Sequence, residues 1–209
     1  MSGKGLPSLL DRHWAESALA IGAVIIAAVS LWVAYDSERT NRELVASASW
    51  PFVQVYNATV TSASAPPQMI FILSNDGIGP AKLEWFQLFW KGRPQRSPWQ
   101  LLQTCCAQQE SLDALYHDPA VASQTDQGLV LRSGQRLDIL TVSRQPENTA
   151  IYDALKSQFT GSLSVRYCYC SALNDCWVNS ATIGAPRDLN PRQMRACPRP
   201  EETYDNTTY

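Results

Sequence analysis

Residues 18–34, ALAIGAVIIAAVSLWVA, carry no charge and a single hydroxyl, that of Ser30. No other feature limits the fold as strongly, because a helix of ~20 such residues crosses the hydrocarbon core of a bilayer, whereas a soluble helix keeps a polar stripe. Trp14 before the run and Tyr35 after it suit the two interfaces, so a transmembrane helix is expected over 14–35. A cleaved signal peptide also places basic residues ahead of an apolar run, and Lys4 and Arg12 stand there. Trp32, two places before Ala34, spoils the small-x-small pattern that a signal peptidase reads. The expectation is a retained single-pass anchor in the lipid bilayer, preceded by a short N-terminus over 1–13. Charge does not orient it, since Arg39 and Arg42 on one side balance Lys4 and Arg12 on the other.

Beyond the run, DSERTNRELVASAS holds neither Gly nor Pro, so the helix is expected to continue as a polar stalk over 36–50 and to stop at Pro51. The pattern then changes to short runs rich in β-branched and aromatic residues, separated by turn residues. FVQVYNATVT, QMIFILSN, AKLEWFQLFW, GLVLR, RLDILTVS, SLSVRYCYC and CWVNSAT read as seven strands, and GLVLR and RLDILTVS straddle a turn at Ser133-Gly134. Two pieces interrupt them. One is an insertion over 98–127; the other is NTAIYDALKSQF, in which Ile151, Leu155 and Phe159 fall at helical spacing before Gly161. The fold class expected is mainly β: an immunoglobulin-like antiparallel sandwich over 51–183 with a helical insertion. The tail, 184–209, is rich in proline and charge and is expected to be extended or disordered, pinned only through Cys197.

The stretch RYCYCSALNDCWVNS decides what the cysteines are for. Strand alternation puts Leu163, Val165, Tyr167 and Tyr169 on one face and Ser164, Arg166, Cys168 and Cys170 on the other. If SALND is a five-residue hairpin loop, Cys170 lies opposite Cys176, Tyr169 opposite Trp177 and Cys168 opposite Val178, which predicts a Cys170 to Cys176 disulfide. Cys168 then needs a partner from outside the hairpin. Adjacent cysteines seldom pair, because the ring strains the peptide between them, so one of Cys105 and Cys106 is expected to reach Cys168 and the other Cys197. Six cysteines allow 15 pairings, and only the hairpin bridge has a geometric argument. A metal site on Cys168, Cys170 and Cys176 competes, although a single residue between ligands on a strand is awkward for zinc. A thiol enzyme competes too, using Cys105, Cys106 and His117, but there is no Cys-x-x-Cys motif.

Two other stretches carry information. SNDGIGPA, 74–81, mimics a phosphate loop yet lacks the lysine and the following helix, so Gly77 and Gly79 are expected to supply positive φ in a tight turn. Asp76 has no further oxygen ligands spaced for calcium. In LEWFQLFW both faces are apolar, with Leu83, Trp85 and Phe89 pointing one way and Phe86, Leu88 and Trp90 the other. Either the insertion covers the second face, or Trp85, Phe86, Leu88, Phe89 and Trp90 anchor a protein partner.

An anchor helix, a stalk ending in SWPF, then SNDGIGPA and YCYCSALNDCW: in this order, over roughly 14–183, the chain resembles small single-pass bacterial inner-membrane proteins with an extracytoplasmic, cysteine-containing β-domain. The resemblance implies a location and an architecture, and its motifs are structural, so it implies no active site and no cofactor. Disulfides persist in oxidising compartments, which orients the chain with its C-terminal domain in the periplasm and Lys4 and Arg12 in the cytoplasm. Two histidines against six cysteines and seven tryptophans argue against an enzyme, and a net charge of -2 gives no basic face for nucleic acid. The function expected is a membrane-anchored interaction or scaffold domain with a protein partner.

Overall fold

The computed structural model describes residues 9–107, 117–124, 128–186 and 190–199. The chain divides between Ser47 and Ala48 into an N-terminal helix and a β-domain. Helix α1 (Leu9–Ala48) is unbroken, and from Glu16 onward it includes an 18-residue window of mean hydropathy 2.3, none of it buried against protein. It is therefore long and apolar enough to cross a membrane. Its polar end carries an exposed Arg39 to Glu43 pair at 3.3 Å, one helical turn apart. The helix stops at Ala48, three residues ahead of Pro51.

The β-domain is built from two antiparallel sheets. One holds, in order, β1 (Val53–Val60), β2 (Gln68–Asn75), β7 (Arg136–Ser143) and β5 (Val121–Ala122). The other runs β10 (Arg192–Met194), β9 (Cys176–Thr182), β8 (Leu163–Cys170), β3 (Ala81–Trp90) and β4 (Arg93–Gln95), with β6 (Val130–Leu131) also paired to β3. All seven expected strands are present, and three short ones were not foreseen. β4 forms because Lys91 and Gly92 both take positive φ, the backbone a two-residue hairpin needs. β5 lies within the insertion. β10 refines the reading of the tail: residues 192–194 are extended, and they pair with β9 at the sheet edge besides the link through Cys197. The Ser133-Gly134 turn does not close a hairpin: β6 belongs to one sheet and β7 to the other, so the chain changes sheets there.

Both sheets contribute to one buried cluster. Val53, Met69, Phe71, Leu73 and Val142 come from the first sheet, and Leu83, Phe86, Leu88, Trp90, Val165 and Tyr169 from the second. Helix α2 (Pro98–Cys105) opens the insertion, with Ser97 as N-cap accepting from Gln100 N at 3.2 Å and Pro98 in the first turn. It adds Trp99, Leu101 and Leu102 to the same cluster. Helix α3 (Thr149–Gln158) adds Tyr152 and Leu155, with Ile151 and Phe159 packed beside them as their spacing predicted. Tyr167 ties the layers by donating its hydroxyl to the Val53 carbonyl at 3.0 Å.

Candidate functional site

The β8–β9 register is the one the alternation predicts: Cys170 faces Cys176, Tyr169 faces Trp177, and Cys168 faces Val178. Tyr169 stacks on Trp177 with ring centroids 5.6 Å apart on the core side. Burial pushes the Tyr169 phenol up to about 12. The cysteines take the opposite face, where they are buried without belonging to the core cluster.

Cys170 and Cys176 are disulfide-bonded with Cα atoms 4.0 Å apart, as the hairpin geometry predicts. The other two bridges differ from the expectation. Cys168 is joined to Cys197, and Cys105 to its neighbour Cys106. The reason is the sheet itself. Cys105 ends α2 on the core side, whereas Cys168 points away from the core, so β8 stands between them. Cys106 has also left helical geometry, at φ −144° and ψ −18°, which releases the adjacent pair from a helix's divergent side-chain directions. The tail reaches the outer face through its pairing with β9, and it brings Cys197.

The four outer sulfurs form one group. The Sγ atoms of Cys170, Cys176 and Cys197 lie within 4.8 Å of one another, and Cys170 Sγ is 3.7 Å from Cys197 Sγ. Among the described residues this is the only cluster of His, Cys, Asp or Glu dense enough to hold a metal ion. As disulfides these sulfurs are not the thiolates that zinc requires. His117 is outside the group, exposed in the turn before β5, and Cys105 and Cys106 are bonded to each other, so the oxidised protein offers no thiol nucleophile beside it.

No family model, curated protein or solved structure matches the chain.

Around the sulfurs, β3 departs from simple alternation. Leu83 pairs with Tyr169 and Trp85 with Cys168, so Glu84 is an extra residue, a bulge. The bulge moves Leu83 to the core face with Phe86, Leu88 and Trp90, correcting its grouping with Trp85 and Phe89. Phe86, Leu88 and Trp90 are buried in the core cluster shared with α2, Trp85 is buried on the outer face, and Phe89 is half-buried. The Nε1 of Trp85 and the Nε2 of Gln87, both on that outer face, are buried with no hydrogen-bond partner.

The SNDGIGPA loop proves to be a clasp rather than a turn of positive φ, for neither Gly77 nor Gly79 adopts such a conformation. A Cβ on Gly79 would collide with the Ser49 carbonyl, and one on Gly77 would strike Phe52 N and Trp50 O. The glycines admit the chain as it enters the domain. Asn75 closes the clasp, its Oδ1 accepting from Phe52 N at 3.1 Å and Gly77 N at 3.2 Å while its Nδ2 donates to Gly79 O at 2.8 Å and Leu131 O at 3.1 Å. With all its capacity used, Asn75 is no calcium ligand. Sequence reasoning missed it; its signal was an Asn two residues before the first glycine of a loop lacking any phosphate-binding lysine.

Proposed function

We propose that the chain is a single-pass protein of the bacterial inner membrane whose β-domain, immunoglobulin-like in architecture, lies in the periplasm and docks a protein partner. The observation that carries this reading is the joining of an apolar helix with none of its membrane-length window buried to a domain whose six cysteines are all paired. Such a helix needs lipid, and such pairing needs an oxidising compartment. Exposed apolar side chains at the clasp are the docking surface: Trp50 is 42% and Ile78 63% exposed, and the Ile78 amide donates to the Trp50 carbonyl at 3.1 Å. Tryptophan is a frequent interface anchor.

Two measurements test this. A C-terminal phosphatase fusion should be active and a C-terminal cytoplasmic-type fluorescent fusion dark; the reverse pattern refutes the orientation. A photo-crosslinking residue at position 78 in intact cells should give one discrete protein adduct. Lipid adducts alone would refute the docking.

A further inference from the structure

We propose that Cys168, Cys170, Cys176 and Cys197 form a two-bridge thiol–disulfide exchange site, reached through Cys197, that accepts electrons from a dithiol. This goes beyond the docking function and does not depend on it, because it requires only the placement of the sulfurs. Three observations carry it. The two bridges touch, with Cys170 Sγ 3.7 Å from Cys197 Sγ. Access is graded: Cys168 is 0% exposed and Cys170 and Cys176 are buried, while Cys197 is half-buried between the exposed Arg195 and Arg199. And, among the described residues, the segment carrying Cys197 pairs with the sheet backbone through the three residues of β10, the Cys168–Cys197 bridge being its covalent tie.

The chemistry balances as follows. One thiolate of an external dithiol attacks Cys197 Sγ; the Cys168–Cys197 bond breaks, and its electron pair goes to Cys168, which takes up a proton. The donor's second thiol attacks the mixed disulfide, closing the donor's own disulfide and releasing Cys197 as a thiolate. The donor has lost two electrons and two protons. The Cys197 thiolate then attacks Cys170 Sγ, forming a Cys170–Cys197 bond and expelling Cys176, which is protonated in turn. This second step exchanges one disulfide for another with no net redox change.

The test uses the full chain in detergent micelles, treated with one equivalent of dithiothreitol, quenched with acid, labelled with a maleimide and mapped without further reduction. The expected result is label on Cys168 and Cys176 together with a Cys170–Cys197 linked peptide. Label restricted to Cys168 and Cys197 would overturn the exchange step, and label restricted to Cys105 and Cys106 until the domain unfolds would overturn the whole site. A second arm needs no reductant. In Cys168→Ser the Cys197 thiol is free from the start, and label is expected at both Cys197 and Cys176; label at Cys197 alone, with Cys170–Cys176 intact, would overturn the proposal.

Discussion

The two faces of the six-stranded sheet are made by the same strands and hold by different means. On the core face, Leu83, Phe86, Leu88 and Trp90 of β3 meet Tyr169, Tyr167, Val165 and Leu163 of β8, and all are buried in the shared cluster. On the outer face, Trp85 pairs with Cys168 and Gln87 with Arg166, and the material is sulfur, an ion pair between Lys82 and Glu84 at 2.8 Å, and two polar nitrogens without partners. The first face is held by close packing and the exclusion of water. The second is stapled by two disulfides, one between β8 and β9 and one to the tail. A domain that buries one face in its own core and staples the other draws its stability from two sources, and the difference can be measured.

The largest effect is expected on the core face. Leu88 is 2% exposed amid the cluster, and Leu88→Ala should cost about 2 to 5 kcal/mol, the usual range for a buried leucine that leaves a cavity. Denaturant unfolding of the full chain in micelles, followed by tryptophan fluorescence, reads it. An effect below 1 kcal/mol, roughly what surface substitutions show, would mean that the core face is not the stabilising one.

Next come the staples. The Cys168–Cys197 bridge spans 29 positions and the Cys170–Cys176 bridge 6. On the chain-entropy model the longer loop should contribute about 3.5 kcal/mol and the shorter about 2 kcal/mol. Cys197→Ser should therefore lower the melting temperature more than the paired substitution Cys170→Ser with Cys176→Ser. The opposite ranking would show that the tail contributes little to the fold.

How much of this contrast could be read from the residues differs between the two strands. The faces of β8 were legible, because LSVRYCYC alternates without interruption and a five-residue loop leaves one register for β9. Those of β3 were not, because AKLEWFQLFW is apolar on both sides and the bulge at Glu84 leaves no trace in such a pattern. Leu83 was assigned to the wrong face for that reason. The partner of Cys168 was missed through a similar gap: pairing it with the insertion ignored that a sheet cannot be crossed by a disulfide. The tail's composition hid β10, since three residues at a sheet edge need no hydrophobic core of their own. The glycine loop was correctly placed between strands, yet its purpose lay in close approach to Ser49 and Phe52, contacts of long sequence separation that no local pattern reports.

A third test asks whether the core face is as dry as its packing implies. Burial raises the Tyr169 pKa to about 12, against about 10 for tyrosine in an unfolded chain. Below the unfolded value both states keep the proton and stability is complete. As pH rises from there through the folded value, the unfolded chain ionises first, so stability falls, by about 2 to 3 kcal/mol in total at the linkage rate for one group. Tyr169→Phe should abolish this alkaline limb, because the Val53 backbone near the hydroxyl only partly offsets the effect of burial and the phenylalanine ring has nothing to ionise. An alkaline limb retained in the phenylalanine variant would place the titration elsewhere.

The smallest effect belongs to the outer face and runs in the opposite direction. Gln87 is 1% exposed, and its Nε2 donates to nothing, so folding strips water from an amide and returns no hydrogen bond there. Methionine has nearly the same shape and length with no donor to desolvate. Gln87→Met should thus stabilise the domain by about 1 kcal/mol, the low end of the penalty for an unsatisfied buried group. At Leu83, Phe86, Leu88 or Trp90 of the same strand the substitution could gain nothing of this kind, since none of these four has an orphaned polar atom to remove. A loss of stability on Gln87→Met would show that the amide is bonded in solution, and the outer face would then hold a polar network in place of an unpaid desolvation. A gain would show that the amide is buried there with no hydrogen bond in return, on a face whose two disulfides join β8 to β9 and to the tail.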